Sequence, residues 1–361
     1  MKKTPLHAIH LDLGARMVEF CGWHMPLLYR GIVAEHTHTR EAAGIFDVSH
    51  MGRLSVAGDG AQVFLERLCT RRIATMAVGQ CRYSHVLNEA GGILDDVIVS
   101  RDEKHWLVVC NAGNRQKMWS WFEAHAPADV QLSDSTEATA MVAIQGPKTF
   151  DLLKKPLPVS LADLKRYHFL SGTYMMMSYA VSRTGYTGED GIEVIFPAMA
   201  AKLVWPLIKA DAKDPDQALQ PVGLGARDTL RIEAGMPLYG QELTEQTDSL
   251  SASLGWCVDL TKEFIGADAL RRIQEQGPSR KLVGLEIEGK RIARHGTPVQ
   301  QAGKNVGEVT SGTLSPTLGK NIAMAYVDAA LAAQGTELRV VIRDHETAAV
   351  VVPMPFYKRK K

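Results

Sequence analysis

Apolar residues recur along this chain in short runs, some at helical spacing and some alternating, rather than in long blocks. The helical period is clearest over residues 61–68, 115–124 and 223–233, which predicts three helices. Runs of β-formers at 82–87 and 93–99 flank the turn Asn88-Glu89-Ala90-Gly91-Gly92, the pattern of a β-hairpin. A second polar turn, 182–193, packs three glycines and four charged side chains between apolar runs at 174–181 and 192–196, both read as strands. Around 272–280 the segment Gln274-Glu275-Gln276-Gly277-Pro278-Ser279 stops a helix and marks a domain boundary. Beyond it, strands are predicted at 281–287, 306–310, 322–327 and 338–342, separated by Gly/Pro turns, which suggests a small β-barrel. The chain reads as α+β, without heptads or repeats.

Composition narrows the function classes. A length of 361 residues permits two or three domains. The net charge of +1 removes the broad electrostatic case for nucleic-acid binding, which would require a basic face, and the tail Lys358-Arg359-Lys360-Lys361 reads as a solvated terminus. Five cysteines, odd in number and without a CxxC pair, argue against a disulfide framework or a cysteine-rich zinc site. Neither the apolar core of a secretory signal nor a stretch of membrane-spanning length is present in the sequence, so a cytoplasmic protein, or a mature organellar one, is expected.

Two groups of residues invite chemistry. Asp95 and Asp96 lie between Ile93-Leu94 and Val97-Ile98-Val99, and strand alternation sends their side chains to opposite, largely apolar faces. At least one carboxylate therefore points into an enclosed region, where an unpaired charge is costly. An active carboxylate and a strand-end aspartate held by backbone amides or an arginine both fit. His36 and His38 form an HxH pair with His50 downstream, but positions i and i+2 of a helix point apart, so no metal site is expected. His50 reads as a structural hydrogen-bonding residue of its turn.

The turn Ser182-Arg183-Thr184-Gly185-Tyr186-Thr187-Gly188-Glu189-Asp190-Gly191-Ile192-Glu193, followed by Gly223-Leu224-Gly225-Ala226-Arg227-Asp228 and continuing to Gly240-Gln241, closely resembles the aminomethyltransferase (T-protein) family of the glycine cleavage system. Further blocks keep the family's order over nearly the whole chain: Gly14-Ala15-Arg16-Met17, Phe46-Asp47-Val48-Ser49-His50-Met51-Gly52, Gly91-Gly92-Ile93-Leu94-Asp95-Asp96, Ile144-Gln145-Gly146-Pro147, Phe264-Ile265-Gly266 and Thr310-Ser311-Gly312-Thr313-Leu314-Ser315-Pro316.

The resemblance implies a three-domain, folate-binding fold with the first two domains interleaved: 1–50 with 138–240, 51–137 with 241–276, and a C-terminal β-barrel at 277–361. It implies that tetrahydrofolate, as co-substrate, takes the methylene carbon of an aminomethyl group carried on the lipoyl arm of a partner H-protein. Ammonia is released and 5,10-methylenetetrahydrofolate forms, with no metal. Asp96 matches the family's catalytic aspartate, and Asp95 becomes structural. Glu193 and Arg227 correspond to folate-binding positions, which suits a carboxylate that accepts paired ring donors and a guanidinium that forks to oxygen. Tyr83, Tyr186, Trp256 and Tyr357 are candidate aromatic walls, and Met51 and Asn111 match positions lining the folate channel. Arg231 is left structural.

The sequence departs from the family at Arg71-Arg72, where members commonly carry Asn-Asp, and at Ser249, near a usual proline. The two arginines would suit the generally acidic H-protein. Related folate-dependent demethylases remain the alternative. A non-enzymatic iron–sulfur assembly protein is disfavoured, because Gly235-Met236-Pro237-Leu238-Tyr239-Gly240-Gln241-Glu242 lacks that group's cysteine.

Overall fold

A computed structural model of the chain describes residues 1–153, 161, 163–174, 176–208 and 218–359, so Lys360 and Lys361 of the basic tail lie outside the described residues. They form two compact units of separated segments. One comprises Met1–Leu65, Ile73–Tyr83 and Val97–Asp228, the other Glu66–Arg72, Ser84–Asp96 and Thr229–Lys361.

In the first unit a six-stranded sheet runs in the order Phe169–Tyr174, Met177–Ser182, Gly191–Pro197, Thr139–Gln145, Ala43–Asp47, Leu219–Pro221. Only the last pair is parallel. The strands Thr139–Gln145 and Ala43–Asp47 are almost wholly buried, which is why they read as continuous apolar runs rather than alternating ones. Their core gathers Ile45, Val142, Ile144, Val181, Ile192 and Phe196. Gly191 faces Gln145 across the ladder, where any side chain would collide with the Ile144 carbonyl oxygen. A five-stranded sheet follows the order Cys81–Leu87, Ile93–Arg101, His105–Cys110, Gly52–Ala57, Gln131–Asp134.

In the second unit six antiparallel strands close a barrel: Arg280–Ile287, Asn321–Asp328, Lys304–Leu314, Pro298–Gln301, Glu337–Ile342, His345–Val352. Leu285, Val299, Ala325, Val340 and Val351 fill it.

The helices Ala61–Leu68, Arg115–His125 and Leu224–Glu233 stand where the periodicity placed them, and so do both strands of the first hairpin. The run at 174–181 does not form one strand. Met176 takes a left-handed φ of 63°, so Tyr174 ends one strand and Met177 opens the next. Two barrel strands escaped the sequence pattern. Pro298–Gln301 is short and polar, and His345–Val352 opens on polar residues after a reversal with positive φ at Arg343 and Asp344.

Candidate active site

Three of the four charges on the 182–193 turn are spent on its shape. Arg183 grips Asp190 with two hydrogen bonds, Nε to Oδ1 at 3.1 Å and Nη2 to Oδ2 at 2.6 Å, and donates to the Leu164 carbonyl at 2.7 Å. Glu189 accepts from Arg40 at 2.8 Å in a buried ion pair. The Gln145 amide donates to the Thr184 carbonyl at 3.0 Å, and its oxygen accepts from Thr187 at 3.2 Å. Glu193 is the exception. Its Oε2 accepts from the Thr184 hydroxyl at 2.5 Å, and the half-buried carboxylate borders a recess of about 20 Å³ lined by Met141, Phe169 and Ile195.

Arg227, on the first turn of Leu224–Glu233, holds its guanidinium 4.7 Å from the centre of the Tyr186 ring. Burial pushes its pKa down, opposed by the charges of Glu193 and Tyr186. Its Nη1 is shut off from solvent and has no hydrogen-bond partner among the described residues. Tyr186, Glu193 and Arg227 are therefore brought together: an aromatic face, a carboxylate and a buried donor, the means to hold a flat ring with paired donors and a carbonyl.

Met51 lies half-buried at the end of the 48–51 turn. Arg53, fully buried, fixes that turn without a carboxylate in hydrogen-bonding reach among the described residues: Nη1 donates to the Met51 carbonyl at 2.6 Å, and Nη2 donates to the carbonyls of Ser49, Thr136 and Thr139. Sequence reading passed over Arg53; the signal was a lone charge inside an apolar strand. His50 on the same turn is buried, edge-on to Phe20 at 5.6 Å, and its Nδ1 has no partner among the described residues. Burial first, then the Arg227 and Arg53 charges, push its pKa down to about 4 against the pull of Asp47, so it is neutral at pH 7. Tyr83 is half-buried on its strand. Asn111 is half-buried at the start of the 3₁₀ turn Ala112–Asn114, which its side chain does not cap.

In the second unit the aspartates separate by exposure: Asp95 is fully buried and Asp96 half-buried, the difference that alternation demands. Their strand is anchored by Ile93, whose N–H donates to the carbonyls of Thr247 at 3.0 Å and Thr244 at 3.2 Å, and whose carbonyl accepts from Tyr239 at 3.1 Å. Cys257 is buried; burial pushes its thiol up to about 12, with Asp96 adding to the rise and Arg71 opposing it. Cys69 and Cys81 are likewise pushed up to about 12 by burial, so none of these three supplies a thiolate at neutral pH.

Trp256, in the 3₁₀ turn Gly255–Cys257, is 58% exposed and carries the Arg71 guanidinium 5.7 Å from its ring centre. Arg72, grouped with Arg71 on the sequence, differs: Nε donates to Asp259 at 2.8 Å and Nη2 to Thr261 at 2.8 Å. Tyr357 hangs from the end of Leu224–Glu233, its N–H on the Glu233 carbonyl at 2.8 Å. Arg231 is structural, paired with buried Glu242 at 2.8 Å and bonded to Ser311 at 2.7 Å. His36 is buried, and His38 donates through Nε2 to the Ala218 carbonyl at 3.2 Å. Among the described residues no three His, Cys, Asp or Glu side chains group as metal ligands would.

Comparison with known proteins joins these observations. Residues 6–262 match the family model described as the GCVT N-terminal domain, and residues 280–358 match the glycine cleavage T-protein C-terminal barrel domain. The chain belongs to the glycine cleavage T-protein family of aminomethyltransferases. Among T-protein relatives, the aminomethyltransferase of Rubrobacter xylanophilus is 48% identical, over 100% of this chain and 95% of that protein. That of Symbiobacterium thermophilum is 46% identical over 99% and 98%. The crystal structure of the glycine cleavage system aminomethyltransferase T from Bartonella henselae superposes with a TM-score of 0.93 at 35% identity, covering 99% of each chain. The α+β architecture with its closed C-terminal barrel is thus the T-protein fold. No helix among the described residues is long and apolar enough to cross a membrane.

Proposed function

We propose that this T-protein family member moves the methylene carbon of an aminomethyl group from the lipoyl arm of a partner H-protein to tetrahydrofolate. The two folate nitrogens bond to that carbon as its bonds to sulfur and nitrogen break. Their two protons pass to the departing thiolate and amine, giving a free dihydrolipoyl thiol, ammonia and 5,10-methylenetetrahydrofolate. The reading is carried by the Tyr186, Glu193 and Arg227 cluster in a chain matched along its length by aminomethyltransferases. In this reading Glu193 accepts the ring N–H and amino donors of the pterin, Arg227 donates to an oxygen, and Tyr186 stacks. Met51, Tyr83, Asn111 and Tyr357 line the rest of the folate site. Asp96 is the carboxylate that orients the reacting folate N–H, steadies the cationic methylene or relays protons between the reacting groups, and Asp95 supports the strand.

The domain limits 1–50 with 138–240, 51–137 with 241–276, and 277–361 belong to the same proposal; the gap between the two family matches, at 262–280, supports the last boundary. A cytoplasmic location is supported by five cysteines that are all free, as in a reducing compartment. Mixing the protein with aminomethyl-loaded lipoylated H-protein and tetrahydrofolate tests the activity. Ammonia and methylenetetrahydrofolate should appear together in equal amounts, and a protein that binds folate but yields neither would overturn the reading.

A further inference from the structure

The loop that carries Trp256 is pinned from beneath by a buried polar network with no evident part in the chemistry. Thr70 donates through Oγ1 to the Cys257 carbonyl at 2.8 Å and accepts from the His85 N–H at 3.1 Å. The His85 ring, fully buried, lies 2.7 Å from the Ser249 hydroxyl through Nδ1, with the Cys257 sulfur 3.7 Å from both ring nitrogens. The Cys257 thiol donates to the Leu254 carbonyl at 3.1 Å, closing the turn that contains Trp256. On the neighbouring segment the Arg71 N–H donates to the Ser84 hydroxyl at 3.1 Å, and the Asp259 N–H donates to the Thr70 carbonyl at 2.9 Å. Both ends of the Arg71 and Trp256 pair thus stand on one rigid base.

What this base holds up is an exposed aromatic face with a cation over it. An indole left 58% exposed gives up the burial that normally stabilises tryptophan, and here it is kept in the open on a fixed turn. The guanidinium over it makes no ion pair among the described residues, whereas that of adjacent Arg72 is committed to Asp259 and Thr261. Tryptophan and arginine are the side chains most enriched where partner proteins bind, and holding them in place beforehand lowers the ordering cost of association. The charges of Asp96 and Arg71 act in opposite senses on the buried Cys257 thiol at the foot of this turn.

We propose that Arg71 and Trp256 form the seat for the arm-bearing carrier protein: Arg71 receives a carboxylate on the carrier's face, and Trp256 receives the aliphatic stem of its arm. This rests on the aminomethyl transfer proposed above and assigns Trp256 to the carrier rather than to folate. The lone cation calls for an anion, and an exposed indole face beside it suits methylene groups rather than another charge.

The test uses the full-length protein with lipoylated, aminomethyl-loaded H-protein at low and moderate salt. Arg71→Ala should raise the apparent KM for the carrier roughly three- to tenfold at low salt and much less at moderate salt, with unchanged kcat and tetrahydrofolate affinity. Arg71→Glu should raise it further. Trp256→Ala should raise the carrier KM about tenfold or more at either salt. Arg72→Ala serves as the paired control and should leave the carrier KM within about twofold. Unchanged carrier KM in Arg71→Glu and Trp256→Ala, in protein that still turns over, would overturn the seat while leaving the transfer reading intact. A Trp256→Ala variant that loses tetrahydrofolate affinity instead would return Trp256 to the folate site. Wild-type protein that makes no product would remove the underlying reading instead.

Discussion

The guanidinium of Arg227 lies 4.7 Å from the centre of the Tyr186 ring, and the charge of Glu193 acts on the same group. A ring and a carboxylate from one part of the chain thereby act on a guanidinium from another, whose buried Nη1 has no hydrogen-bond partner among the described residues. Replacing Glu193 or Arg227 with Ala is expected to weaken tetrahydrofolate binding by about 1–3 kcal/mol, roughly five- to 150-fold in Kd. Titration calorimetry on folded protein checks this, and unchanged affinity would remove the residue from the folate site.

Asp96→Asn is expected to cut turnover about 10²–10⁴-fold at saturating folate, the range for a group that handles a proton in the transition state. Fold and folate affinity should hardly change, because Asp96 is only half-buried. Asp95→Asn acts differently: the carboxylate is fully buried, so the cost should fall on stability more than on chemistry. Turnover and thermal unfolding of the two variants side by side decide the matter, and the opposite ranking would reverse the two assignments.

Gly92 ends the turn that leads into both aspartates, its N–H on the Asn88 side-chain oxygen at 2.9 Å. A methyl group there would collide with the Glu245 carbonyl oxygen, a backbone atom that cannot swing aside. Gly92→Ala should cost about 1–3 kcal/mol of stability. Urea unfolding against the wild type measures it; a loss below about 0.5 kcal/mol would show that the 88–92 turn can shift.

How much of this was legible beforehand follows from where each signal resides. The helix Ala61–Leu68 and the hairpin strands were visible because local periodicity specifies them. The strand Pro298–Gln301 was not, because its place is set by pairing with Lys304–Leu314 and Glu337–Ile342 rather than by its own residues. Asp95 and Asp96 could be told apart in principle by alternation alone, although only the fold says which of the two is enclosed. Arg71 and Arg72 could not, since their difference depends on Asp259 and Trp256, nearly two hundred residues away. The 182–193 turn was conspicuous as a whole, yet its charges divide into Arg183, Asp190 and Glu189, which hold the turn, and Glu193, which has a recess before it. That division depends on Arg40 and Gln145, which no local pattern connects to it.

Stability should fall with acid well above the range where carboxylates titrate. His85 and His50 are buried and neutral in the native protein, burial pushing the first down to about 3 and the second to about 4 from 6.5. In the unfolded chain both gain a proton as the pH drops through 6.5, so between that value and about 4 the unfolded state binds more protons. Each histidine then destabilises the fold by about 1.4 kcal/mol per pH unit. Asp47 acts only lower: its carboxyl, held at about 2 by His10, Ser49 and Thr4 despite its burial, contributes stability that is lost as the pH falls from 3.8 toward that value. Urea unfolding at pH 7, 6, 5 and 4.5 should show the slope, and His85→Gln, which keeps a polar group near Ser249, should make it shallower by about one proton. The slope rather than the absolute stability is the test, because it is insensitive to any packing cost of the substitution. An unchanged slope would mean that His85 is protonated in the native state or reached by water, and the pinned base beneath Trp256 would then need another origin.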